Sequence, residues 1–130
     1  MQAEPFDEAH FFRAVAESGA RAARELLARA PALDALFVAS DPMASAALRV
    51  LAEAGRTVPD DVAVVSFDDS PIAVSTQPAL SSVRQPIEEM GREMTRLLMR
   101  AIEGMNGVPR RVILPAELVV RASSGEVTTD

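Results

Sequence analysis

The segment ALFVASDPMASAALRVLAEAGRTVPDDVAVVSFDDSPIA, residues 35–73, decides the fold of this chain. Its opening belongs to a short apolar run at 34–40 that contains Phe and Val and lies between two prolines, so it predicts a buried strand. Residues 62–67, VAVVSF, form a continuous run rich in β-branched side chains. This run predicts a second strand that is covered on both faces.

A helix is predicted between these two strands. It begins at Asp41-Pro42, because proline suits the first turn of a helix and the Asp41 carboxylate can accept from first-turn amides as an N-cap. Apolar side chains recur on one face, and Gly55 follows as the C-terminal cap. The order strand, helix, strand implies parallel pairing through a right-handed crossover.

Upstream of this segment, residues 20–30 repeat apolar side chains at helical spacing and end at a proline. Ser18 is placed to cap this helix, because a serine oxygen accepts from the amides of the first turn. Before it, Phe11, Phe12 and Val15 could face one side of a helical turn.

Downstream, residues 80–84 predict a short strand and residues 86–104 a long helix with a strong apolar face. Residues 112–120 contain Pro115, which indicates an edge strand with a break or two short extended pieces. The last residues, 123–130, form a polar tail. The fold class predicted is α/β, with a parallel sheet and flanking helices.

The composition is that of a globular domain and excludes several chemistries. The chain has 130 residues, 48% of them hydrophobic, and a net charge of -6. An excess of acid argues against direct contact with a nucleic-acid backbone. The absence of Cys excludes disulfides and thiolate metal sites. All 13 cations are Arg, so Schiff-base lysines and the lysine of phosphate-binding loops are excluded as well.

The sequence also predicts no membrane partner, metal or cofactor. No apolar run approaches the roughly 20 residues of a membrane span, and no basic leader precedes a short apolar core. His10 is the single histidine and cannot build a metal cluster. A cytoplasmic location is therefore expected.

Acidic residues follow both predicted strands, as Ser40-Asp41 and Asp68-Asp69. Ligands of parallel sheets bind beyond the carboxyl ends of the strands, so Asp68 would point into such a crevice. A carboxylate there accepts two hydroxyl hydrogen bonds, which suits polyols and sugars. Asp41 is interpreted as a helix N-cap and Asp69 as a turn former.

Two other classes of protein were weighed against a binding module. A paired-acid hydrolase would need Asp41 and Asp68 to meet above the sheet, but the sequence has no nucleophile elbow, phosphate loop or metal-ligand spacing to accompany them. A receiver domain has the same element order but requires a lysine that this chain lacks. The sequence therefore predicts a protein that is not an enzyme.

Three motifs resemble the C-terminal part of the effector-binding domain of the lactose-repressor (LacI) family of bacterial transcription regulators. They are the segment 35–73 quoted above, PALSSVRQP at 78–86 and LPAELVVRASSG at 114–125, and the resemblance runs from about Ser18 to Gly125. It implies a partial type I periplasmic-binding-protein-like fold, in which two α/β subdomains close on an effector. It also implies a homodimer that binds operator DNA through a headpiece absent from this chain.

The resemblance assigns candidate effector contacts residue by residue. The acid of the family's G-[FY]-D-[DN] motif falls on Asp68, while Ser66 replaces the leading glycine. The family's frequent Asn-Asp pair is Ser40-Asp41 here, and its first position, Ser40, would bind effector. Phe37 falls where some relatives place a ring against the ligand, although a strand Phe is more often a core residue.

Other positions follow from the resemblance in the same way. Relatives usually carry an aromatic residue about four positions before the Ser-Gly pair. This chain has Ala14 there, so Phe12, the nearest ring, is the candidate effector contact at this place. The dimer surface of the family would involve Ser45 and Ile72.

The resemblance divides the chain into three parts. Residues 1–17 are an N-terminal segment, 18–122 are the C-terminal part of the effector-binding domain, and 123–130 are the polar tail. The helix at 86–104 belongs to the other subdomain in relatives, so its apolar face is expected to lack its natural partner. The function implied is sensing of a small molecule, most often a sugar or related metabolite, within a transcription regulator. The alternative is a periplasmic-type solute-binding protein for uptake, which shares the fold.

Overall fold

A computed structural model describes residues 7–104 and 111–125 of the chain. Helices and strands alternate along most of it, and a turn of 3-10 helix follows the last strand. In chain order the elements are α1 (Glu8–Arg29), β1 (Ala35–Phe37), α2 (Asp41–Glu53), β2 (Ala63–Asp68), α3 (Pro71–Ser75), β3 (Ser81–Arg84), α4 (Ile87–Ile102), β4 (Glu117–Val119) and the 3-10 turn Ala122–Ser124.

The four strands form one sheet in the order β1-β2-β3-β4. β1 pairs parallel with β2, and β2 pairs parallel with β3. β4 lies at the edge and runs antiparallel to β3. The α/β class, the parallel pairing and the edge position of the last strand are thus confirmed.

The core lies between the sheet and α2. Its fully buried members are aliphatic side chains from the helix, the strands and the turns around them: Ala44, Leu51, Val62, Val64, Ala73 and Leu80. Burial of each large aliphatic side chain contributes roughly 1.5–3 kcal/mol. The apolar residues of 43–54 and of the run 62–67 thus build this core. Their packing fixes the ends of β1 and β2, next to which Asp41 and Asp68 lie.

Helices α1 and α2 pack closely through small side chains. Ala20 and Ala23 of α1 meet Ala46, Ala47 and Val50 of α2. At Gly19 a Cβ atom would lie 2.5 Å from the carbonyl oxygen of Met43, so only glycine permits this approach.

Helix α1 is longer than the sequence pattern predicts. It begins at Glu8, where the Asp7 carboxylate accepts a hydrogen bond from the backbone N–H of His10 at 3.0 Å, and it passes through residues 17 and 18 without a break. The prediction that Ser18 caps a new helix is wrong, because its Oγ donates to the carbonyl of Val15 inside the helix. Residues 1–6 of the predicted N-terminal segment lie outside the described part of the chain.

The polar tail also begins later than predicted. Ser123 is fully buried, accepts from the backbone N–H of Ser81 at 2.8 Å and donates to the carbonyl of Val64 at 2.6 Å. Its hydroxyl therefore bridges β2 and β3, and residues 123–125 belong to the folded domain. Residues 126–130 lie outside the described residues.

Helix α4 stands apart from the core. None of its residues is buried, and Ile87, Met94, Leu98 and Ile102 are each 60% exposed or more. Among the described residues, the helix thus leaves much of its apolar face exposed.

Candidate ligand-binding site

A cleft of about 510 Å³ opens at the carboxyl ends of β1 and β2, beside the first half of α1. Its walls combine apolar and polar side chains: Phe11, Phe12, Val15, Ser40, Pro42, Asp68, Ser70, Pro71 and Ile72. This is the edge at which ligands of parallel α/β sheets bind. The cleft brings together Asp68, Ser40 and Phe12, three of the four effector contacts expected from the sequence.

Asp68 ends β2 in an unusual backbone conformation. Its φ angle is 108° and that of Asp69 is 54°, and both values lie in the left-handed region that residues with a Cβ rarely occupy. Strain of this kind persists only where the surroundings impose it, and it is concentrated at functional sites.

One oxygen of the Asp68 carboxylate has no hydrogen-bond partner among the described residues. Gln85 Nε2 donates to its Oδ1 at 2.7 Å, and this is the one hydrogen-bond partner of the carboxylate among the described residues. Burial raises the pKa of the Asp68 carboxyl above its usual value; the bond from Gln85 offsets part of the rise, and the nearby charge of Asp41 adds to it. A group with these properties accepts hydroxyl hydrogen bonds readily.

Asp69 anchors the turn that follows. Its side chain is 4% exposed, with Arg84 Nη2 at 2.7 Å from Oδ2 and Arg121 Nη2 at 2.6 Å from Oδ1. Burial alone would raise the pKa of this carboxyl, but the hydrogen bonds and charges of Arg121 and Arg84 prevail and hold it below its ordinary value. The predicted role of Asp69 as a turn former is confirmed, with two cations as its partners.

Asp41 is a cross-link between elements and not a helix cap. It is the first residue of α2 and is fully buried. Its Oδ1 accepts from Ser66 Oγ at 2.5 Å and from Ser82 Oγ at 2.8 Å, and its Oδ2 accepts from the backbone N–H of Ser70 at 2.6 Å. The N-cap prediction was wrong because these partners lie on β2, β3 and the turn before α3, which the local sequence does not show.

Ser66 stands where the family's motif has glycine, and its hydroxyl donates a hydrogen bond that glycine cannot make. Its hydroxyl reaches the Asp41 carboxylate from the middle of β2, and Ser82 does the same from β3. Ser82 Oγ also accepts from the backbone N–H of Asp69 at 3.0 Å. The two serines and Asp41 therefore hold the Asp68-Asp69-Ser70 turn from below.

The occupied carboxylate of Asp41 argues against the paired-acid alternative. A general acid or base needs a free oxygen beside its partner, and both oxygens of Asp41 are engaged inside the core. Among the described residues, no group of three or more His, Asp or Glu side chains is placed to bind a metal ion.

The remaining predicted residues lie elsewhere. Phe37 does not line the cleft; it is 67% exposed on the edge strand β1, with its ring edge-on to Phe67 at 6.5 Å between centroids. Ser45 lies half-buried in a small groove with Arg49, Thr76 and Gln77. Ile72, expected at a dimer surface, is half-buried in the wall of the cleft.

Gln85 and Ser70 were not predicted from the sequence to belong to this site. Gln85 directly follows β3, whose carboxyl end adjoins that of β2, so its position after a parallel strand was a usable signal. Ser70 carried no such signal, because α3 lies in a stretch for which the sequence pattern predicts no element.

The fold and the cleft define a periplasmic-binding-protein-like domain. Residues 1–124 match the family model described as a periplasmic binding protein-like domain. The transcriptional regulator CelR of Thermobifida fusca is 55% identical over 107 residues, which are 82% of this chain and 32% of the relative. No helix within the part of the chain that the structure describes is long and apolar enough to cross a membrane.

Solved structures agree with this relationship. The complex of the regulator CelR with cellobiose superimposes with a TM-score of 0.79 and 54% identity, over 84% of this chain and 33% of that chain. The lac repressor dimer bound to operator and the anti-inducer ONPF gives a TM-score of 0.77 and 29% identity, over 85% and 33%. This chain belongs to the LacI family of transcription regulators, and it spans about a third of the length of these relatives.

Proposed function

We propose that this chain is the effector-sensing and dimerisation portion of a bacterial LacI-type DNA-binding transcription regulator, and that its effector is a sugar. The observation that carries the proposal is the position of Asp68 in the cleft wall, with one carboxylate oxygen held by Gln85 and the other without a partner among the described residues. A fixed carboxylate oxygen accepts ligand hydroxyls, while the ring of Phe12 offers an apolar surface to a sugar ring.

Cellobiose is the first effector to test. The regulator solved with cellobiose is 54% identical to this chain over the shared region. Ser40 lines the same cleft and is the second proposed contact. Phe37 remains a predicted contact that would have to reach a ligand from outside the cleft.

The proposed mechanism is a population shift. An effector that binds one arrangement of the two subdomains more tightly favours that arrangement, and the difference in affinity changes operator binding by the same free energy. Operator DNA would be contacted through the headpiece of the regulator, and a net charge of -6 suits a segment that does not itself touch DNA.

A solute-binding protein for uptake would use the same fold, and the relatives named above favour the regulator because they are regulators of transcription. Cytoplasmic location and the absence of catalysis are parts of the same proposal. The engaged carboxylate of Asp41 supports the second part, since Asp41 is not free to act as a partner acid for Asp68.

A homodimer is proposed through Ser45 and Ile72. The lac repressor was solved as a dimer, and Ser45 of α2 lies in a groove with Thr76, which is close in sequence to Ile72. Sedimentation of Ser45→Arg is expected to show dissociation to monomers at concentrations where the wild type is dimeric. An unchanged dimer would move the interface elsewhere.

Calorimetric titration of cellobiose into wild type and Asp68→Asn tests the ligand role. The amide keeps the size of the side chain but removes charge-assisted acceptance, so affinity should fall by about tenfold to a hundredfold. Asp60→Asn, an exposed loop residue, is the matched control and should bind as the wild type does. A lowered melting temperature with unchanged affinity would show that Asp68 serves only the fold.

A further inference from the structure

Two serines stand directly before helices without capping them. Ser40 precedes α2 and Ser70 precedes α3, and both have the extended backbone typical of an N-cap. Neither side chain makes a capping hydrogen bond. For Ser40 one reason is local, since Pro42 at the second helical position has no N–H to donate.

Both hydroxyl oxygens are buried without a partner. Ser40 Oγ and Ser70 Oγ are buried and make no hydrogen bond among the described residues, although both residues line the cleft and are half-buried as a whole, so a rotation about χ1 would turn each hydroxyl toward the cleft. Most buried polar atoms in folded proteins are paired, so an orphaned hydroxyl calls for a specific reason. Since Ser40 and Ser70 line the same cleft, one reason should account for both unpaired hydroxyls.

The backbone of Ser70 is fixed although its hydroxyl is unpaired. Its N–H donates to Asp41 Oδ2 at 2.6 Å, and Asp41 is itself held by Ser66 and Ser82. The turn therefore fixes the backbone from which the Ser70 hydroxyl can reach the cleft, two residues after Asp68.

We propose that Ser70 Oγ and Ser40 Oγ are a pair of ligand-binding hydroxyls that, with the free oxygen of Asp68, bind three hydroxyl groups of an uncharged sugar. The inference rests on the proposed sugar-sensing function and adds Ser70 as a specificity-determining residue. A serine hydroxyl donates one hydrogen bond and accepts others, so it fits a sugar hydroxyl in either direction.

The opposite side of the cleft agrees with this ligand class. Phe12 and Val15 of α1 supply apolar surface, and among the described residues that line the cleft Asp68 is the only charged one. None of the described lining residues is a cation that could recognise a phosphate or a carboxylate on the ligand. A neutral ring with hydroxyls on its edge and C–H groups on its face matches both walls.

Calorimetric titration of cellobiose into Ser70→Ala and Ser40→Ala, with melting curves for each variant, tests the pair. Each change should weaken cellobiose binding by about tenfold and leave the melting temperature unchanged or raised, because it removes a hydroxyl that the fold leaves unpaired. Ser75→Ala is the control: Ser75 is exposed on the same short helix and donates to the carbonyl of Ile72. It should bind as the wild type does.

The outcomes separate this inference from the proposed function. Wild-type affinity in Ser70→Ala, with Asp68→Asn impaired, would overturn the role of Ser70 and keep the sugar-sensing function. A melting temperature that falls together with affinity would show a structural role and also overturn it. If the wild type binds neither cellobiose nor any other sugar in a panel of mono- and disaccharides, both proposals fail. Deoxy analogues of a sugar that binds give a second readout: the analogue that lacks the contacted hydroxyl should bind Ser70→Ala and wild type equally.

Discussion

Ser66 Oγ donates a hydrogen bond to Asp41 Oδ1 at 2.5 Å, although the two residues are 25 positions apart and both are fully buried. This bond joins the middle of β2 to the start of α2 beneath the ligand cleft. A side chain without a hydroxyl in place of Ser66 would leave the buried carboxylate with one donor fewer on Oδ1.

Ser66→Ala is expected to destabilise the fold. Hydrogen bonds to charged groups contribute about 1.5–3 kcal/mol, so the free energy of unfolding should fall by about that amount. Urea unfolding followed by circular dichroism measures it. Ser75→Ala, an exposed serine, should change the free energy by less than about 0.5 kcal/mol. Equal stability of Ser66→Ala and wild type would mean that water or Ser82 fully replaces the lost donor.

The two arginines that pair with Asp69 should contribute unequally to the free energy of unfolding. The Arg121 side chain is 15% exposed and that of Arg84 is 52% exposed, so Arg121 forms the buried ion pair. Arg121→Met should cost about 3 kcal/mol, because it leaves a buried charge short of a partner and frees the carbonyl of Leu80. Arg84→Met should cost about 1 kcal/mol or less. Chemical denaturation of both variants gives the comparison, and the reverse order would show that Arg84 is the main partner of Asp69.

Effector binding should weaken in mild acid. The pKa of Asp68 is raised by burial, so this carboxylate takes up its proton at a higher pH than the ordinary value of about 3.9. The protonated acid accepts ligand hydroxyls poorly, so cellobiose affinity should fall as the pH drops through that raised pKa. Titrations between about pH 7 and pH 4 measure the midpoint.

Asp68→Asn is the control for this pH dependence. Its affinity is lower but should stay level across the same range, with folding checked by circular dichroism at each pH. A wild-type affinity that stays level down to the ordinary carboxyl pKa would contradict the assignment. The free energy of unfolding should respond to Asp68 in the opposite direction. Because the pKa of Asp68 is higher in the folded protein than in the unfolded chain, its protonation at low pH favours the fold and does not by itself unfold the protein.

Two helical glycines should respond in opposite directions to alanine. At Gly19 a Cβ would meet backbone atoms of Met43 at 2.5–2.6 Å, so Gly19→Ala forces α1 and α2 apart and should cost about 1–3 kcal/mol. At Gly91 of α4 the added Cβ would meet no atom within 4 Å among the described residues, apart from its chain neighbours and the backbone of its own helix. Gly91→Ala should therefore stabilise by about 0.5–1 kcal/mol through helix propensity. Thermal unfolding of the two variants gives the signs, and a stabilised Gly19→Ala would show that the helices can separate freely.

The sequence predicts those parts of the fold that depend on local pattern. The helical spacing of 43–54 and the β-branched run of 62–67 each report which face is buried, and a parallel pair then follows from their order. The resemblance to known regulators directed attention to Asp68, Ser40 and Phe12, which the structure brings into one cleft.

The contacts that position the site could not be predicted in this way. Asp41 looks like an N-cap within its own segment, and its real partners Ser66 and Ser82 come from strands 25 and 41 positions away. Ser123 looks like part of a polar tail for the same reason. Side-chain hydrogen bonds between distant segments leave no periodic trace, so only the folded arrangement reveals them.

The bridge made by Ser123 has a consequence for the order of events during synthesis. Its partners are the carbonyl of Val64 and the N–H of Ser81, which are made 59 and 42 residues earlier. At about 5–20 residues per second, the N–H of Ser81 waits at least about two seconds for the hydroxyl that completes it. During translation β2 and β3 therefore lack this bridge until residue 123 has left the ribosome.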